Sequence, residues 1–243
     1  MTAPEVAVHG TVEPGFEGVL AAFEENFATH GDVGASVAVT IGGRMVVDLW
    51  GGTASFDGPD DDEAGVPGVE GDWQQDTIIN VMSTTKTVAA LVCLMLADRG
   101  ELDLYEPIAS YWPEFAANGK DRIATRHVLS HTAGLAGWDE PLDETDFFDH
   151  DKLVGLLAAQ APWWEPGTQS GYHADTQGYL LGEIVKRVDG RTLGTFFAEE
   201  VAGPLDADFH IGTPAECDPR IARLIGSGPI DAGDDPTSIP YRT

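Results

Sequence analysis

Between Pro14 and His30 the apolar residues Phe16, Val19, Leu20, Phe23 and Phe27 recur every three to four positions. That spacing predicts an amphipathic helix, ended by Gly31-Asp32. The period then shortens. GASVAVTIGGRMVVDLWGG predicts two strands, Ala35–Ile41 and Met45–Trp50, joined by a tight turn at Gly42-Gly43. Residues 57–72, DGPDDDEAGVPGVEGD, have no periodicity and predict an acidic loop. Ser83–Arg99 predicts the strongest helix, with Val88, Leu91, Val92, Met95 and Leu96 on one face and Gly100 as its stop. Further helices are expected at Ala124–His131, His150–Ala161, Thr176–Val188 and Leu193–Val201. The start of the chain reads as flexible, and 226–243 as an irregular tail. A two-stranded hairpin is marginal alone, so further strands are expected beside it.

Composition narrows the class. Hydrophobic residues make up 42% of the 243 positions, enough for a real core, and no run of about 18 apolar residues suggests a membrane span. The amino terminus lacks the basic start and apolar run of a signal peptide, and with Cys93 and Cys217 read as reduced core thiols a cytoplasmic protein is expected. A net charge of −28 argues against nucleic acid and anionic membranes as partners. The acidity itself has two readings: a solvated surface that follows genome composition, or adaptation to high salt.

The chain has no G-x-S-x-G elbow, no H-E-x-x-H, no Walker loop and no dinucleotide fingerprint, and its seven histidines lack metal-ligand spacing. Neither a metal nor a cofactor is expected. What stands out is Ser83-Thr84-Thr85-Lys86 at the head of the apolar helix. Residues three apart share a helix face, so the Lys86 amine can lie beside the Ser83 hydroxyl. A serine alcohol needs such a base to become a nucleophile. Read alone, the motif also fits a plain helix cap at Ser83.

Context adds to this. VMSTTKTVAALVCLMLADRGELDLYEPIASYWPEF, RIATRHVLSHTAGL and EPGTQSGYHADTQGYLLGEIVKRVDGR together resemble the serine β-lactamase and penicillin-binding-protein-like superfamily. The likeness is greatest to the class C β-lactamase-related carboxylesterases called family VIII, and it covers about residues 15 to 225. It implies an α/β serine β-lactamase/transpeptidase-like fold, an antiparallel sheet flanked by helices plus a helical region. It also implies that Ser83 is the acylated nucleophile and Lys86 its partner base. Tyr172-His173-Ala174 stands where the family has Y-x-N, which implies Tyr172 as general base; otherwise it is a core tyrosine. Ala174 replaces the Asn that contacts the substrate amide in lactam-cleaving relatives, and this favours an ester. His173 is read either as lining the cleft or as a plain surface histidine. His131 in Ser130-His131-Thr132-Ala133-Gly134-Leu135 matches a family signature, with an implied role in loop support.

The family's third motif, K-T-G, H-x-G or W-x-G, is expected well downstream. Trp50-Gly51-Gly52 and His210-Ile211-Gly212 match it literally but in the wrong places, and both read as decoys. Family members run on past the point corresponding to Thr243. The expectation is therefore one domain over 1–243, lacking its C-terminal strands: helix and hairpin at 15–56, acidic loop at 57–72, helical region at 73–225, tail at 226–243. The expected activity is hydrolysis of small carboxylic esters through an acyl-enzyme on Ser83. A β-lactamase or D-Ala-D-Ala peptidase and a non-catalytic interaction fragment are the alternatives. A homo-oligomer or a second chain completing the sheet is a further expectation.

Overall fold

The computed structural model describes residues 6–55, 71–225 and 238. The expected acidic loop, apart from its last two residues, and the expected tail, apart from Ser238, lie outside the described residues. The chain divides into two compact units, Met1–Asn80 with Thr213–Pro229, and Val81–Gly212 with Ile230–Thr243.

The first unit carries an antiparallel sheet of three strands, β1 (Val8–Val12), β2 (Gly34–Ile41) and β3 (Arg44–Gly52), in the order β1-β3-β2. The hairpin is where the alternation predicts it. Gly42 and Gly43 adopt φ +59° and +78°, the left-handed pair that a two-residue hairpin turn requires. Strand β1 corrects the expectation of a flexible start. VHGTV has too few apolar residues to announce a strand, yet its backbone pairs with β3, Val8 opposite Gly51 and Val12 opposite Val47. Gly10 permits the approach, because a Cβ there would stand 1.9 Å from the Asp48 carbonyl oxygen.

Helix α1 (Glu17–Glu25), continued by a π-helical turn at Asn26–His30, covers this sheet. Phe23 is buried with Val46, Val47 and Leu49, and Phe16, Val19, Leu20, Phe27, Val37 and Val39 pack around them. The five apolar residues of the predicted helical stripe all join that core. Burying a side chain of this size is worth about 1.5–3 kcal/mol, which fixes the helix on its sheet. A smaller cluster of Trp73, Ala54 and Ala222 gathers Trp50 and Ile79, and Cys217 is also buried in this unit.

The second unit is helical: α2 (Thr85–Asp98), α3 (Thr125–Leu129), α4 (His150–Ala159), α5 (Thr176–Asp189) and α6 (Leu193–Phe197). Helix α5 packs against the other four. Its Leu180, Leu181, Ile184 and Val185 are buried with Val92, Cys93 and Leu96 of α2, Leu157 of α4, and Phe196 of α6. Asp149 and Thr192 cap α4 and α6 by accepting main-chain N–H groups, and Gly190 closes α5 at φ +92°. Three of these helices stop two or more residues short of their expected ends, α3 closing at Leu129. Gln160 turns to extended backbone ahead of Pro162, and after Phe197 the chain continues as a π-helical turn, Ala198–Ala202.

The buried seam of α2 also differs from the spacing. It runs through Ala89, Val92, Cys93 and Leu96, while Leu91 and Leu94 are exposed. Apolar residues occur all round this helix, so periodicity alone could not choose the inward face. Lys120 is a second surprise. It is fully buried, and its Nζ donates to the Ala117 carbonyl at 2.7 Å and to the Gln160 carbonyl, above the Phe115 ring. No helix among the described residues is long and apolar enough to cross a membrane.

Candidate active site

Ser83 lies in a single 3-10 turn, Met82–Thr84, that leads into α2 and places its exposed side chain at the head of the helix. Met82, just before it, has φ +47°, a left-handed conformation uncommon for a side chain of that size. One turn further on, Lys86 donates from Nζ to Ser83 Oγ at 3.2 Å. From a segment 89 positions away, the Tyr172 hydroxyl donates to the same oxygen at 2.6 Å. Lys86 Nζ stands 5.1 Å from the centre of the Tyr172 ring. Three residues singled out in the sequence thus meet at one hydroxyl.

The run 171–174 is not helical, and adjacent side chains in it part to opposite sides. Tyr172 faces Ser83 and is half-exposed; His173 turns inward and is fully buried. This corrects both readings of His173, which neither lines a cleft nor sits on the surface. Its Nε2 accepts the Leu135 N–H at 3.2 Å and its Nδ1 meets the Gly171 carbonyl at 2.6 Å, so the ring is neutral with its proton on Nδ1. Burial is the main cause that holds its pKa down to about 4.

Ala174 takes part through its backbone: its carbonyl accepts a 2.6 Å hydrogen bond from Lys86 Nζ. Lys86 is therefore held between Ser83 Oγ and the Tyr172–Ala174 run. His131, at φ +59°, packs its ring 4.8 Å from that of Tyr172. Burial, and then the Lys86 ammonium, hold the His131 imidazole below its ordinary range.

The loop after α3 braces this arrangement. Thr132 accepts the Gly167 N–H at 2.9 Å and Gly134 accepts the Trp163 N–H at 2.7 Å, which ties the Glu165-Pro166-Gly167 turn to the loop. Inside, Gln177 at the start of α5 donates to the Val128 carbonyl at 3.0 Å. Of the two decoy motifs, Trp50-Gly51-Gly52 ends the central strand β3, and His210 pairs with Asp208 at 2.9 Å. Sequence reasoning missed the contribution of the Ala174 main chain, because a backbone carbonyl carries no residue-type signal. Among the described residues, no group of three or more His, Cys, Asp or Glu is placed to hold a metal.

A serine oxygen touched by both an amine and a phenol has two groups that can take and return its proton. A family model described as Beta-lactamase matches residues 20–241. The chain belongs to the β-lactamase family. Its fold is accordingly of the β-lactamase/transpeptidase type. It is 39% identical to "Esterase/beta-lactamase LipL" of Mycobacterium tuberculosis over 221 residues, covering 90% of this chain and 48% of the relative. The crystal structure of a family VIII carboxylesterase is similar with a TM-score of 0.81 and 43% identity, over 90% of this chain and 57% of that one. A penicillin-binding protein homologue from Caulobacter crescentus gives a TM-score of 0.80 and 41% identity, over 90% and 56%. This β-lactamase-family chain spans about half the length of the curated relative and somewhat more of the two structures.

Proposed function

We propose that the protein is a serine hydrolase of small carboxylic esters that works through an acyl-enzyme on Ser83. The observation that carries the reading is the double contact at Ser83 Oγ, 2.6 Å from the Tyr172 hydroxyl and 3.2 Å from Lys86 Nζ. In this reading the Lys86–Tyr172 pair holds one proton fewer than its two groups can carry, and Ser83 Oγ attacks the ester carbonyl while its proton passes to that vacancy. The same proton goes to the departing alkoxide, which leaves as the alcohol. Water then attacks the acyl-enzyme, loses a proton to the pair, and the proton returns to Ser83 as the acid leaves. The Ser83 main-chain N–H at the head of α2 is proposed as one donor to the oxyanion.

An ester is favoured over a β-lactam because Ala174 offers only a carbonyl, already bonded to Lys86, where lactam-cleaving relatives place an Asn side chain. The carboxylesterase name of the family VIII structure supports the same choice, while LipL is named for both activities. The test is to assay p-nitrophenyl butyrate and nitrocefin with the chain and with Ser83→Ala. Ester turnover that vanishes in the variant is expected. Turnover of nitrocefin alone would select the β-lactamase reading, and unchanged turnover in Ser83→Ala would discard the nucleophile.

A further inference from the structure

His131 holds the main-chain N–H groups of the residues on both sides of Tyr172. Its main-chain carbonyl accepts the Gly171 N–H at 3.1 Å, and its Nδ1 accepts the His173 N–H at 3.1 Å. Its ring also lies against Tyr172 and 5.6 Å from the ring of His173. It does this from a left-handed backbone, a conformation that costs a non-glycine residue about 1–2 kcal/mol. Such a conformation persists where its surroundings over-determine it, and here both acceptors of one residue serve a single three-residue segment.

We propose that His131 is a positioning residue for Tyr172, and that protonation of its Nδ1 releases the Tyr172 hydroxyl from Ser83 and slows acylation in acid. The proposal rests on the reading of Ser83 as the nucleophile. An Nδ1 that accepts an N–H must carry its lone pair. A proton added there sets two donors face to face, and the His173 N–H loses its partner. The Gly171 bond, made to a main-chain carbonyl, survives, so Tyr172 stays held on one side only. Misplacement of a reacting group by about 1 Å can cost up to about 10² in rate.

The charged and titratable groups that face the His131 ring are few. Lys86 comes from the first turn of α2, and its ammonium opposes a second positive charge. Tyr172 and His173 come from the 171–174 run, and the His173 ring is neutral, committed to Gly171 and Leu135. His131 is therefore neutral at pH 7, and its release falls below the ordinary histidine range of about 6.5.

Two measurements test this. In a 1H–15N titration, the His173 amide shift should move with the midpoint of the His131 ring. In a second series, labelling of Ser83 by a fluorophosphonate probe is followed from pH 8 to pH 4.5. His131→Asn places a non-titrating Oδ1 where Nδ1 was, and Asn tolerates the left-handed backbone. It should label within about tenfold of the parent at pH 7.5 and lose the parent's fall in acid. His131→Ala, which removes the acceptor, should label about 10–10²-fold more slowly at every pH, with probe affinity unchanged. An acid fall that is identical in His131→Asn, or a His173 amide that ignores the His131 titration, would overturn the proposal. Ser83 unlabelled at every pH would instead overturn the nucleophile reading, since the amide shift tests the grip by itself.

Discussion

Lys86 and Ala174, 88 positions apart, meet through a 2.6 Å hydrogen bond from the lysine Nζ to a main-chain carbonyl. Any residue at 174 could supply that carbonyl, so the bond ties the lysine to the chain rather than to a side chain. The lysine then has two separable duties: it anchors the 172–174 run, and it can exchange a proton with Ser83.

Lys86→Arg separates them. A guanidinium can still donate to the Ala174 carbonyl, but it does not give up its proton. Labelling of Ser83 should fall by at least about 10², while the melting temperature stays near that of the parent. Lys86→Ala should lose both labelling and some stability. Arginine at full activity would confine Lys86 to anchoring.

Tyr172→Phe keeps the ring that packs on His131 and removes only the oxygen on Ser83. Turnover of p-nitrophenyl butyrate should fall by roughly 10²–10⁴, the range of a general base, with circular dichroism unchanged. Near-normal turnover would return Tyr172 to a packing role.

His173 makes stability depend on pH. Its folded pKa, about 4, lies below the ordinary value, so the unfolded chain takes up the proton first as pH falls. Its contribution is complete above about pH 6.5 and is lost as pH drops toward 4, roughly 3 kcal/mol at most. His127 and His131 are shifted in the same direction and add to the slope. Urea midpoints from pH 7.5 to 4.5 should decline less steeply in His173→Gln, whose Oε1 replaces the acceptor for Leu135 without titrating. Equal slopes would show that His173 is not responsible.

Lys120 is a test of burial. Lys120→Ala leaves the Ala117 and Gln160 carbonyls without the donor they share and opens space over Phe115. A loss of about 2–4 kcal/mol is expected in chemical denaturation. A change below about 0.5 kcal/mol would mean that water replaces the ammonium at no cost.

Charge gives the fifth expectation. A net −28 destabilises the compact state by self-repulsion, and raising ionic strength from 0.01 M to 1 M shortens the screening length from about 30 Å to about 3 Å. The melting temperature should rise with KCl. A flat or falling curve would leave the acidity as genome composition.

Legibility followed the range of each interaction. Ser83 and Lys86 could be paired from the sequence because a helix sets the distance between positions three apart. Tyr172 lies 89 positions from Ser83, and only the family resemblance linked them. His173 was misplaced because nothing in Tyr-His-Ala states which of two neighbours faces in. Strand β1 was missed because its pairing rests on backbone groups and on the absence of a Cβ at Gly10. Nothing in the sequence marks Lys120 as buried, since its partners are carbonyls 3 and 40 positions away.

Cys93 and Cys217 fall one in each compact unit, and both are buried thiols. Burial pushes the Cys93 thiol up to about 12, so it presents almost no thiolate to an alkylating reagent in the native state. Modification must wait for the surrounding structure to open. The chain thus carries two built-in clocks: the alkylation rate of Cys93 times the opening of the helical unit, and that of Cys217 times the opening of the unit that holds the sheet. Equal rates would mean that the two units open as one cooperative body, and a gap between them would measure how independently each one breathes.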